Sequence, residues 1–169
     1  WKLHLDRFRP LGDPTRNLEA LLTLVSRAKD EDVSPEAYRA WAEKALAAAA
    51  DPEAEDDARR HAELAAFYAS YQQLLGEAGA IDFGDQISQA LSILRSRPAL
   101  LAKLRARYRY ILVDEFQDTN HAQLELVRLV ANPEAPNITV VGDDDQAIYR
   151  WRGAAAGNLL AFRELFPDA

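Results

Sequence analysis

Apolar side chains recur through the first eighty residues at the spacing of helices. Leu18, Leu21, Leu22 and Val25 stand at i, i+3, i+4 and i+7, one stripe of an amphipathic helix. Ser34-Pro35-Glu36 then carries a start signal: a capping hydroxyl, a proline suited to the first helical position, and an acid favoured at the positive helix end. Tyr38, Trp41, Ala45 and Leu46 form the apolar face expected of the helix that follows. Asp51-Pro52-Glu53 repeats the signal ahead of Leu64, Phe67, Tyr68, Tyr71, Leu74 and Leu75, with Gly76 and Gly79 as natural stops. The helical spacing of these aromatic residues predicts core packing rather than a stacking surface, and Glu53, Glu55, Asp56 and Asp57 read as a solvated helix start. No strand pattern appears before residue 80.

The period changes in the second half. Ile87, Ala90, Leu91 and Leu94 mark another helix, with Pro98 ending it or opening the next. Tyr110-Ile111-Leu112-Val113 is a short continuous apolar run, as expected of a buried parallel strand, and it stops at Asp114-Glu115. Leu124, Val127 and Val130 share one face of a helical segment from Gln123 to Val130. After a loop from Asn132 to Asn137, Ile138-Thr139-Val140-Val141 is a second buried strand, ending at Gly142-Asp143. Strand, helix and strand within about 30 residues make a βαβ unit with parallel strands and a right-handed crossover.

Parallel strands deliver their ends to one edge, so Asp114-Glu115 and Asp143-Asp144-Asp145 are expected side by side. Open α/β sheets bind ligands at that edge. Carboxylates crowded there repel one another, which a divalent cation relieves. Magnesium takes hard oxygen ligands, commonly one or two carboxylates with water and phosphate. Taken alone, the three aspartates also read as a turn.

Composition narrows the classes. The absence of cysteine removes disulfides, thiol catalysis and cysteine-ligated zinc, and His4, His61 and His121 have no common metal-site spacing. No apolar run reaches the ~20 residues of a membrane span and no signal-peptide pattern opens the chain, so a soluble, cytoplasmic protein without a membrane partner is expected. The net charge of −7 argues against a dedicated basic nucleic-acid module. The run Arg95, Arg97, Lys103, Arg105, Arg107, Arg109 holds no acid; it reads as a solvated helix face, with phosphate contact as its other possible use. The chain begins at Trp1 and contains no methionine, as expected of a piece of a longer polypeptide.

The segment Ile111-Leu112-Val113-Asp114-Glu115-Phe116-Gln117-Asp118-Thr119-Asn120 resembles the Walker B segment (motif II) of UvrD/Rep-type superfamily 1 DNA helicases. Val140-Val141-Gly142-Asp143-Asp144-Asp145-Gln146-Ala147-Ile148-Tyr149-Arg150-Trp151-Arg152-Gly153-Ala154 resembles their motif III. Ile81-Asp82-Phe83 is similar to the family's entry into its first RecA-like domain, and Ser26-Arg27-Ala28-Lys29 suits the helical insertion before it.

The resemblance implies an ATP-dependent DNA helicase or translocase acting on single-stranded DNA and duplex junctions, with ATP and Mg²⁺ as cofactors and 3′-to-5′ movement. By the same resemblance Asp114 would hold Mg²⁺ through water, and Glu115 would orient the attacking water and accept its proton. Gln146 would touch the γ-phosphate, while Tyr149, Trp151 and Arg152 would contact single-stranded DNA. Phosphoryl transfer needs little beyond positioned water, metal and opposing charge. A flat aromatic ring grips any base.

The implied fold is α/β but mostly helical. It combines an all-α insertion subdomain over residues 1–80 with the later part of a RecA-like P-loop NTPase domain, a parallel βαβ, over residues 81–169. None of Gly12, Gly76, Gly79, Gly84, Gly142, Gly153 or Gly157 precedes a lysine, so this stretch lacks a phosphate-cradling Walker A loop. The resemblance places that loop upstream and the arginine-bearing motifs downstream, in the remaining helicase domains, and the stretch alone is expected to be inactive. Two other readings are a superfamily 1 helicase–nuclease and a non-catalytic DNA-binding or interaction module with the same fold. Asp114, Glu115 and Gln146 count against the second, which has no use for them.

Overall fold

The computed structural model describes residues 5, 7, 8, 15–132, 136–143, 162 and 164–166. Among these, helices dominate and the only sheet is a parallel pair. The first half holds α1 (Leu18–Asp30), α2 (Pro35–Ala48) and α3 (Pro52–Glu77). Both start signals act as the sequence predicts. The Ser34 hydroxyl accepts from the Ala37 N–H at 3.2 Å and the Asp51 carboxylate from the Ala54 N–H at 2.8 Å, with Pro35 and Pro52 opening the helices. Gly76 is no stop: α3 runs through it to Glu77. The turn comes at Gly79, whose φ of +62° suits a residue without a Cβ.

The chain divides into two compact units, residues 1–28 with 33–82 and residues 29–32 with 83–169. In the first, Leu21, Val25, Leu64, Phe67 and Tyr68 are buried together, with Leu24, Ala28, Tyr38 and Tyr71 against them. The Phe67 and Tyr71 rings stack at 6.5 Å, and the Tyr68 hydroxyl donates to the Val33 carbonyl. The aromatic residues of α3 are thus largely core, as their spacing predicts. Two expectations need correction. Leu18 and Leu22 lie at the rim, because the buried stripe of α1 runs through Leu21 and Val25, with Leu24 and Ala28 partly buried beside it. On α2 the buried residue is Ala42, while Trp41 is 52% exposed. The buried position holds a small residue, and the indole lies outside, edge-on to His61 at 4.9 Å.

The second unit holds α4 (Phe83–Ser96), α5 (Pro98–Arg107), β1 (Ile111–Val113), α6 (His121–Ala131) and β2 (Ile138–Val140). The strands pair in parallel with Ile111 opposite Ile138 and Val113 opposite Val140. Ala131, Ile138 and Phe166 form the buried centre, flanked by Ile111, Val113, Val127, Val140, Phe162 and Leu165. The expectation of fully buried strands fails at Leu112, 70% exposed, and Tyr110, 80% exposed. Successive strand side chains point to opposite faces, and among the described residues only the face bearing Ile111 and Val113 is packed. The basic run is partly consumed in structure: Arg95 pairs with Asp32 at 2.6 Å, and the Arg105 guanidinium donates twice to the Leu129 carbonyl.

Sequence periodicity did not anticipate the fate of Lys29. Its ammonium lies 2.8 Å from the Asp85 carboxylate, and each side chain is 1% exposed. Gly84 makes the close approach possible, since a Cβ there would stand 2.7 Å from Lys29 Cδ and 3.0 Å from its Cβ. Removing one member of such a pair strands the other charge away from water. Lys29→Met is therefore expected to lower stability by about 3–5 kcal/mol. Lys44→Met, at an exposed site on α2, should change it by less than about 0.5 kcal/mol. Urea denaturation of the two variants checks the difference.

Candidate functional site

The parallel register brings the ends of β1 and β2 to the same edge. Beyond the three-residue ladder the backbone pairing continues. The Val141 N–H donates to the Val113 carbonyl at 2.8 Å, and the Phe116 N–H donates to the Val141 carbonyl at 2.9 Å. The chain leaving β1 is therefore folded across the end of β2 instead of running into solvent.

Asp114 and Glu115 occupy that bend, and both are exposed. The Glu115 N–H donates to Asp114 Oδ1 at 2.9 Å. Glu115 itself has φ 51° and ψ 41°, the left-handed region that a residue with a Cβ enters at a cost. A 3₁₀ turn, Phe116–Asp118, follows at once. Its Phe116 ring is buried, edge-on to Phe162 at 5.7 Å, so the turn is anchored by a core residue next in sequence to the carboxylates. The Thr119 hydroxyl closes the turn by donating to the Phe116 carbonyl at 2.7 Å.

Asn120 then starts α6 with a complete capping box. Its side chain accepts from the Gln123 N–H at 2.9 Å, and the Gln123 side chain accepts from the Asn120 N–H at 3.0 Å. The remaining amide donor of Asn120 reaches Asp30 at 2.7 Å. Burial and the neighbouring Glu31 push the Asp30 carboxyl above its ordinary range, and the Asn120 donation pulls the other way.

The sequence-predicted residues divide into two groups. Asp114, Glu115 and Asp143 lie on the shared edge. The calls on Asp144, Asp145, Gln146, Tyr149, Trp151 and Arg152 lie outside the described residues. No group of three or more potential metal ligands assembles among the described residues. Two hollows lined by described residues lie elsewhere, one along Leu18, Leu22 and Ser26 of α1, the other beside Tyr110, Leu112 and Val127. The residue that sequence reasoning passed over is Gln117. It is 2% exposed and spans from Glu115 to the backbone of Asp143. A polar residue two positions beyond an acid pair, inside a turn flanked by core residues, was the available signal.

A family model for the UvrD/REP helicase N-terminal domain matches residues 4–167. The chain belongs to the UvrD/Rep helicase family. Curated relatives agree. An ATP-dependent DNA helicase PcrA of Leuconostoc citreum is 36% identical over 149 residues, covering 88% of this chain and 18% of its own length. Proteins of the same name from Staphylococcus epidermidis and Staphylococcus aureus are 44% and 42% identical over 106 residues, 63% of this chain and 14% of theirs. The chain thus spans less than a fifth of the length of these helicases. Among the described residues no helix is long and apolar enough to cross a membrane.

Because the Asn120 side chain serves both the α6 cap and Asp30, Asn120→Ala removes two of the hydrogen bonds that seat this turn. The expected loss is about 1–2 kcal/mol. Equilibrium denaturation of this variant checks it, with Asn137→Ala in the loop before β2 as the control.

Proposed function

We propose that this chain is part of an ATP-dependent DNA helicase and carries part of one half of its ATP-hydrolysing site. The observation that carries the reading is the Asp114–Glu115 pair at the carboxyl end of β1, held against the end of β2. Residues 1–80 form the helical insertion subdomain and residues 81–169 the later part of the first RecA-like domain. The substrates are ATP and single-stranded DNA at duplex junctions, with movement from 3′ to 5′. The site serves in the cytoplasm.

Asp114 suits Mg²⁺ by its donor chemistry: an exposed carboxylate with hard oxygens, only one of which is engaged by the Glu115 N–H. Bound there, Mg²⁺ supplies the charge neutralisation that phosphoryl transfer needs. Glu115 orients a water and takes its proton at a carboxylate oxygen, as a general base must. Its bend places the carboxylate beyond the strand end, clear of the packed face. Gln146 senses the γ-phosphate. Tyr149 and Trp151, with Arg152 beside them, stack on bases and couple hydrolysis to stepping, since only a few residues separate them from Gln146.

Glu115→Gln in the full-length enzyme is expected to leave ATP binding intact and to lower turnover by about 10²–10⁴-fold. Equilibrium nucleotide binding alongside steady-state hydrolysis reads both, and wild-type turnover would remove Glu115 from the mechanism. Trp151→Ala should weaken single-strand binding by about 1–3 kcal/mol with ATP affinity unchanged. Fluorescence anisotropy with a labelled oligonucleotide measures this, and a selective loss of nucleotide binding would contradict it.

A further inference from the structure

Gln117 has no role in the site as described so far, yet its side chain is engaged at both ends. Its Nε2 donates to Glu115 Oε2 at 2.7 Å, and its Oε1 accepts from the Asp143 N–H at 3.0 Å. The residue is 2% exposed. The residue before it is fixed: the Phe116 ring is buried, its N–H bonds to the Val141 carbonyl, and its own carbonyl accepts from the Thr119 hydroxyl.

We propose that Gln117 is a positioning residue that ties the Glu115 carboxylate to the loop leaving β2, so that the orientation of the base follows the position of that loop. The inference rests on the reading of Glu115 as the hydrolytic base. Three observations converge on it. Glu115 is exposed and its backbone sits in a left-handed conformation, so its own environment provides little to hold the carboxylate. A side-chain bond to a buried, immobilised amide supplies that hold. At its other end the same amide grips the first N–H after Gly142, on the segment that continues toward Gln146, Tyr149 and Trp151.

A primary amide also suits the task chemically. It presents a donor to the carboxylate and an acceptor to the N–H from opposite atoms of one rigid plane. Glutamate would keep the acceptor and set a second carboxylate against Glu115. Leucine would fill the space with neither bond. A loop displacement of about 1 Å stretches the Asp143 bond past hydrogen-bonding range. The amide is then free to rotate, and the hold on Glu115 is lost.

The test compares Gln117→Leu with Gln117→Glu in the full-length enzyme. Both should lower kcat about 10–100-fold, the usual effect of removing a group that orients a reacting one. KM for ATP should stay within about twofold, because the contact is to the base and not to the nucleotide. Hydrogen exchange at the Asp143 amide should quicken in Gln117→Leu and stay protected in Gln117→Glu, which keeps the acceptor. In a Glu115→Gln background, Gln117→Leu should add no further loss of turnover, since it acts through the group already removed. A residue that matters only for folding would instead lower stability in both variants and multiply the loss in that background. Wild-type kcat in Gln117→Leu, or a multiplied loss in the double variant, would overturn the positioning role while leaving Glu115 as base. Wild-type turnover in Glu115→Gln alone would overturn the reading of Glu115, and this inference with it.

Discussion

Two three-residue parallel strands make few hydrogen bonds of their own, and parallel ladders are slightly weaker per residue than antiparallel ones. Their register must therefore be held by packing, and everything at the carboxylate edge depends on it. Ile111 and Val113 join Ile138 and Val140 around Ala131 and Phe166. A slip of one residue would turn both outward and send Leu112 into the core face. It would also uncouple the bend at Asp114–Glu115 from the end of β2. The backbone bonds from Phe116 to Val141 and from Val141 to Val113 exist only in the observed register. Hydrophobic burial on one face of a minimal sheet thus determines where two exposed carboxylates stand.

A second group of constraints gathers on the short segment Lys29–Asp32, which belongs to the second unit although α1 otherwise belongs to the first. Lys29 meets Asp85, Asp30 meets Asn120 and Asp32 meets Arg95. Such contacts are poor sources of net stability when buried, because desolvation consumes most of the Coulombic gain. Their value lies in direction: each matches one partner in one geometry, whereas an apolar plug would tolerate several. The turn that starts α6 and carries the site is seated through one of them.

The parts legible in the sequence were those governed by local rules. Ser34 and Asp51 cap helices because a short polar side chain before a helix has one good use for its oxygen. The strand-helix-strand pattern and the acids at its edge followed from period and from parallel topology. What stayed hidden depended on distant partners. Lys29 looks like any basic residue near a helix end, and only its meeting with Asp85 across Gly84 makes it a core residue. Leu112 and Trp41 match the apolar pattern but face outward, since hydrophobicity does not say which face another element covers. Gln117 escaped because its second contact lies 26 residues away.

The backbone at Glu115 bears on how this protein can be improved. At φ 51° the position favours glycine or asparagine over glutamate on conformational grounds alone. Selection for thermal tolerance without regard to turnover would find replacements there attractive and would discard the carboxylate with them. The conformational penalty at Glu115 is the local form of the conflict between robustness and activity. Consensus or computational stabilisation of this family member should therefore hold Glu115 fixed and seek its gains on the exposed faces of α2 and α3.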